Sequence, residues 1–159
     1  MSGVAGDSLA LRHTIFGVVK GQSYALRYRG KNQYGWSSSW SPSVYVVASD
    51  APVAPPPPSL AAATDTSMTL SLFLPQDDGG QSLTSLELWR DEGAQDGSPA
   101  EVQVATYDVE SFSLQHQLTT TLDGILTGKV YSFRTRALNP SGASEYSDLL
   151  RAAVASPPA

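Results

Sequence analysis

Residues 125–142 read ILTGKVYSFRTRALNPSG, and the run from Tyr131 to Ala137 inside this stretch decides the architecture. Tyr131, Phe133, Thr135 and Ala137 share one parity, whereas Ser132, Arg134 and Arg136 share the other. Successive side chains of a strand point to opposite faces, so this spacing predicts a β-strand with aromatics turned inward and arginines outward. Helical spacing would mix the two sets around the helix. Pro140-Ser141-Gly142 ends the strand in a turn.

Working outward, the same period recurs upstream. Met68, Leu70 and Leu72 alternate with Thr69 and Ser71, Leu86 and Leu88 alternate with Ser85 and Glu87, and Val102 and Val104 follow the turn residues Asp96, Gly97 and Pro99. With Asp77-Asp78-Gly79-Gly80 as a further turn, seven short strands between Leu60 and Val154 predict a two-sheet antiparallel sandwich.

A second copy of the deciding stretch lies near the N-terminus. Residues 11–37 align on residues 118–144 at a constant offset of 107. Thr14, Gly17, Gly21, Tyr24, Arg27, Arg29, Asn32, Gly35 and Ser37 recur as Thr121, Gly124, Gly128, Tyr131, Arg134, Arg136, Asn139, Gly142 and Ser144. Between the copies, residues 51–58 read APVAPPPP; these prolines cannot donate ladder hydrogen bonds and favour a stiff, extended path. The expected organisation is therefore residues 1–50 as the C-terminal part of one sandwich, 51–58 as a linker, 59–155 as a complete sandwich, and 156–159 as a tail or the start of a next linker.

The run from Pro55 to Leu60, then SMTLSLFLP, DDGGQSLTSLELWRDEG and Ile125-x5-Tyr131-x-Phe133-x-x-x-Ala137-x-Asn139-x-x-Gly142, resembles a fibronectin type III domain. The resemblance implies an all-β fold of tandem immunoglobulin-like antiparallel sandwiches, the first incomplete. It also places Tyr131, and Tyr24 in the earlier copy, at the tyrosine-corner position. Leu72 stands where the family usually has a Trp, and Leu86 where it usually has a Tyr, so aliphatic side chains should fill more of the core. The residues themselves do not fix a compartment; by family habit alone the resemblance points to the cell surface or extracellular space, with an intracellular assembly left open.

Composition excludes several function classes. Apolar residues make up 41% of the 159-residue chain and no window holds about 18 consecutive ones, so no membrane span is expected. Residues 1–11 lack the basic and apolar blocks of an export signal. The absence of cysteine removes disulfides, thiolate metal sites and cysteine nucleophiles. Net charge is -5, but residues 1–50 carry five Lys/Arg against two acids, and the remainder carries five against thirteen. The complete sandwich is thus acidic, which argues against nucleic-acid binding.

Catalysis needs a base beside a nucleophile or paired acids, and the only histidines are His13 and His116, both at strand-like inward parity. Walker, HExxH, GxSxG and GxGxxG motifs are missing. Asp77 and Asp78 in one loop, with Asp91, Glu92 and Asp96 in the next, carry oxygen enough for calcium, yet the resemblance puts these loops at opposite ends of a sandwich. Neither a cofactor nor a metal is expected.

Trp36-Ser37-Ser38-Ser39-Trp40-Ser41 resembles the WSxWS signature of cytokine-receptor modules with one extra residue, and in the second copy Ala143 and Tyr146 replace the tryptophans. Arg27 and Arg29 lie outward on the preceding strand, so a cation-π ladder with Trp36 and Trp40 is expected. The expected function is a non-catalytic structural or adhesive spacer, or a protein-interaction module, working beside neighbouring domains of the same polypeptide. The alternatives are a receptor-like ligand-recognition module using the Trp-Arg face, or an accessory domain of an enzyme lying outside this segment. Leu11, Ile15, Tyr24, Leu26, Tyr28, Val44 and Val46 should face a sheet that the chain does not supply, with the missing strands upstream favoured over donation by another chain.

Overall fold

The computed structural model describes residues 12–93 and 102–155, and the expectations for Leu11, Asp96, Gly97, Pro99 and residues 156–159 lie outside them. The chain divides into two compact units, Met1–Ser49 and Asp50–Ala159.

In the second unit the alternating segments become strands because each has an apolar face to bury. β5 (Ser59–Ala63), β6 (Ser67–Ser71) and β9 (Gln115–Thr119) form one sheet in the order β5-β6-β9. β7 (Ser85–Arg90), β8 (Val102–Asp108), β10 (Val130–Asn139), β11 (Gly142–Ala143) and β12 (Leu150–Ala153) form the other. Its order is β11-β10-β7-β8, with β12 also paired to β10. All strand pairs are antiparallel, and this is a fibronectin type III-like sandwich.

Between the sheets lie Met68, Leu70, Leu72, Leu86, Leu88, Leu118, Ile125, Tyr131, Phe133, Ala137, Ala152 and Val154. Leu72 and Leu86 are fully buried in the positions expected of larger aromatics. Parity fails at Ser132 of β10, which is 3% exposed, and at Glu87 of β7. Glu87, on the outward parity of β7, is 8% exposed, because its Oε2 accepts from Trp89 Nε1 (2.9 Å) and Arg136 Nε (2.6 Å). A carboxylate so deeply covered persists only when its oxygens are paired.

Residues 51–58 are extended but they are not a free connection. Pro52, Pro55 and Pro58 are buried, every third residue, which is the repeat of a polyproline II helix laid along a surface. The entry to this strap is clipped to the DDGG loop: Asp50 N–H donates to Gly79 O (2.9 Å) and Val53 N–H to Asp77 O (3.1 Å). Asn139 closes the clip by donating from Nδ2 to both Asp50 O and Asp78 O, each at 2.7 Å. Gly79 has φ 83°, and a Cβ there would sit 2.1 Å from Asp50 O. Gly79→Ala should therefore combine left-handed strain with a backbone clash and cost roughly 1–3 kcal/mol. Urea denaturation checks it, as does faster amide exchange at Asp50 and Val53.

In the first unit, among the described residues, β1 (Ser23–Leu26) pairs only with β4 (Val44–Val47), and β2 (Lys31–Asn32) forms a hairpin with β3 (Gly35–Trp36). At the 107-residue offset these strands align on parts of β10, β11 and β12, and among the described residues no second sheet faces them. Leu26, Val44 and Val46 are 37%, 61% and 47% exposed, whereas Phe133, at the position of Leu26, is fully buried.

His116 lies in β9 opposite Leu70, where its Nδ1 meets the Tyr107 hydroxyl and its Nε2 is buried without a partner. Burial pushes its pKa below 6.5, outweighing the upward pull of Asp123. Because the unfolded chain takes up the proton first, this contribution to stability is present above pH 6.5 and is lost as pH falls through the folded value. The denaturation midpoint should drop between pH 7 and pH 5, and His116→Phe should flatten that slope.

Candidate functional site

The distinctive chemistry is a ladder of cations and aromatic rings on the outward face of each copy of the deciding strand. Serines build it. In the second unit Ser144 N–H donates to Ala137 O and its Oγ accepts from Ala137 N–H, at 2.8 and 3.0 Å. Ser147 repeats the clamp on Thr135, also at 2.8 and 3.0 Å. Each hydroxyl thus supplies the acceptor that a strand carbonyl would otherwise give, satisfying buried main-chain groups between β11 and β12. In the first unit Ser41 clamps Tyr28 in the same way, and Ser37 N–H donates to Gly30 O.

The clamps carry aromatic residues beside the outward arginines. The guanidinium carbon of Arg27 lies 4.7 Å from the Trp40 ring centroid, and that of Arg29 lies 4.6 Å from Trp36 and 4.7 Å from Trp40. Lys31 Nζ extends the series at 5.4 Å from Trp36. Such stacking is worth about 0.5–1 kcal/mol per contact at an exposed site.

The second unit carries a ladder that sequence comparison of the tryptophans hides. Tyr146 accepts Arg134 at 3.7 Å and Arg136 at 5.1 Å, and Trp89 of β7 meets Arg136 at 5.4 Å. Trp89 and Tyr146 also meet edge to face, with centroids 6.0 Å apart. The ring lost at Ala143 is thus supplied from a neighbouring strand. The signal that could have found it was the outward parity of Trp89 and Glu87 on β7. Arg136 is held charged above its usual range, first by the hydrogen bond to Glu87.

The two tyrosine-corner residues occupy equivalent places. Leu126 N–H donates to the Tyr131 hydroxyl at 2.9 Å and Val19 N–H to the Tyr24 hydroxyl at 2.8 Å, each five residues upstream. Tyr131 is 1% exposed, and Tyr24 is half-buried.

Elsewhere the acids serve turns. Asp77 and Asp78 accept from the Gly79 and Gly80 N–H groups, and Asp91 Oδ1 accepts from Gly93 and Ser132 N–H. Among the described residues no group of three or more His, Asp or Glu could hold a metal ion. Among the described residues no helix is long and apolar enough to cross a membrane.

No family model matches the chain. Solved structures do. A crystal structure of a run of titin domains superposes with a TM-score of 0.59 at 18% identity, covering 80% of this chain and 39% of that one. A solution structure of a human FNIII domain gives 0.55 at 20% identity, covering 82% of this chain and 98% of that one. The fold is fibronectin type III-like. The kinase region of twitchin from C. elegans gives 0.54 at 23% identity, covering 66% of this chain and 17% of that one. At these identities the likeness shows the fold alone. The chain spans 39% of the titin chain and 17% of the twitchin chain, so these similar structures are longer, multidomain pieces.

Tyr131→Phe should destabilise the second unit by roughly 1 kcal/mol, since the Leu126 N–H loses its acceptor in a partly buried corner. Tyr24→Phe, in a more exposed corner, should cost less. Chemical denaturation of the two variants checks both the loss and the order.

Proposed function

We propose that this chain is a non-catalytic structural module of a larger multidomain protein. It acts as a spacer that sets the path of the polypeptide and offers its sheet faces to protein partners. The observation that carries this reading is the docked proline strap. A strap with Pro52, Pro55 and Pro58 buried and its entry clipped through Asp50, Gly79 and Asn139 makes the connection part of the sandwich rather than a tether. Such a connection fixes the direction in which the chain enters the domain. On this reading residues 12–49 are the C-terminal part of a second sandwich of the same kind. The ladders support the same role: their rings are engaged by arginines of their own unit, so each stiffens an outward face.

A receptor-like recognition reading draws on one observation, the 46% and 45% exposure of Trp36 and Trp40. Exposed indoles rimmed by cations are suited to protein contact.

Force spectroscopy tests the spacer reading. Residues 50–155 pulled from their ends should unfold in one cooperative event that releases roughly 300 Å of contour length. Gradual yielding without a discrete event would rule out a load-bearing spacer. In a second arm, Gly79→Ala should lower the unfolding force by loosening the strap.

A further inference from the structure

We propose that the outward side of the proline strap, formed by Val53-Ala54 and Pro56-Pro57, is a docking ridge for a partner domain whose aromatic-lined groove reads polyproline II helices. This goes beyond the spacer reading, because it names a class of partner for a segment whose other side sets the path of the chain.

The three-residue repeat of the strap carries the inference. A polyproline II helix has three sides, and Pro52, Pro55 and Pro58 spend one of them on the sandwich. Val53, Ala54, Pro56 and Pro57 are all exposed. They form two dipeptide ridges one helical turn, about 9 Å, apart. Aromatic-lined grooves that recognise such helices grip ridges of this kind and benefit from a helix that is already formed. The side they leave free is here the side already buried, so docking on the sandwich and docking on a partner do not compete. The clip at Asp50, Gly79 and Asn139 holds the strap extended beforehand, so a partner has little chain to order.

The main chain and the surroundings fit the same partner. Among the described residues no main-chain N–H donates to the carbonyls of Ala54, Pro55, Pro56 or Pro57. These are strong acceptors, suited to the indole N–H or phenol O–H of an aromatic groove. Ala54, Pro56 and Pro57 also line, with Tyr146 and Asp148, an open cleft of about 360 Å³. It has room for an aromatic side chain of the partner beside the proline rings and Tyr146. Charge narrows the partner further. Asp148 is exposed, and residues 51–159 carry thirteen acids against five Lys/Arg. A groove rimmed by Lys or Arg complements that surface, whereas a second copy of this chain would set the same acidic surface against itself.

The probe is an isolated WW domain, with a groove lined by Tyr and Trp, chosen for binding to a synthetic peptide of residues 51–59, APVAPPPPS. Titrated into the 159-residue protein up to about 1 mM, it should shift the amide signals of Val53, Ala54, Gln76 and Tyr146 to saturation. The Val53 N–H, bonded to Asp77 O at 3.1 Å, should keep its exchange rate in the complex, as expected of a strap read in place. The double variant Pro56→Glu with Pro57→Glu puts carboxylates against the aromatic groove. It should weaken binding at least about tenfold, with the denaturation midpoint little changed because both positions are exposed. Unshifted amides would overturn the docking ridge, as would equal affinity of the double variant. Faster exchange at Val53 on binding would show that the groove strips the strap from the sandwich. Shifts at the same amides without the WW domain, rising with protein concentration, would make a second copy the occupant. Either result would also overturn the proposal.

Discussion

A strand buried in a sandwich has to bond its main-chain groups along both edges, and in this molecule that requirement falls on β10. One edge is met by β7 through six consecutive residue pairs. The other is met in turn by β11, by the hydroxyls of Ser144 and Ser147, and by β12. The serines matter because the last strand is broken in two between β11 and β12. Without an acceptor at Ala137 and Thr135, two buried N–H groups would each carry a desolvation cost of about 1–3 kcal/mol. From this doubly bonded strand follow the inward wall of Tyr131, Phe133 and Ala137 and the outward row of Arg134 and Arg136.

The outward row then organises the sheet surface. Arg136 and Trp89 converge on a single oxygen of Glu87, while Tyr146 lies against both Arg134 and Arg136. Strands far apart in sequence are thereby linked by charge-assisted bonds and ring faces on the side away from the hydrophobic core. The first unit keeps the arginines and serines and supplies both rings from its own Trp36 and Trp40, so its ladder needs no ring from a strand at the β7 position. The same main-chain logic bonds one edge of that unit's strand to β4 and to its serines.

Legibility varied with the range of the interaction. The strand period, the inward set Tyr131, Phe133, Thr135 and Ala137, and the pairing of Arg27 and Arg29 with nearby tryptophans could all be read locally. Each involves residues within one strand or its immediate successor. The ring supplied by Trp89 could not be read this way, because it reaches Arg136 from 47 positions upstream through strand register. The docked strap was equally hidden: APVAPPPP announces an extended path, but whether that path is free or packed depends on the loop it meets.

What the sequence determined by itself was period, turn chemistry and repetition, since alternation of side chains, Asp-Gly and Pro-Ser-Gly turns, and the 107-residue offset are properties of neighbouring residues. What only the tertiary structure decided was which polar groups are shared between distant segments. Asn139 joins Asp50 to Asp78, Glu87 is buried because Arg136 and Trp89 both donate to it, and Gly79 is required because Asp50 O lies where a Cβ would stand. The physical reason is that hydrogen bonds and close approaches between segments depend on distances that chain folding creates, whereas strand alternation is built into the backbone of each segment.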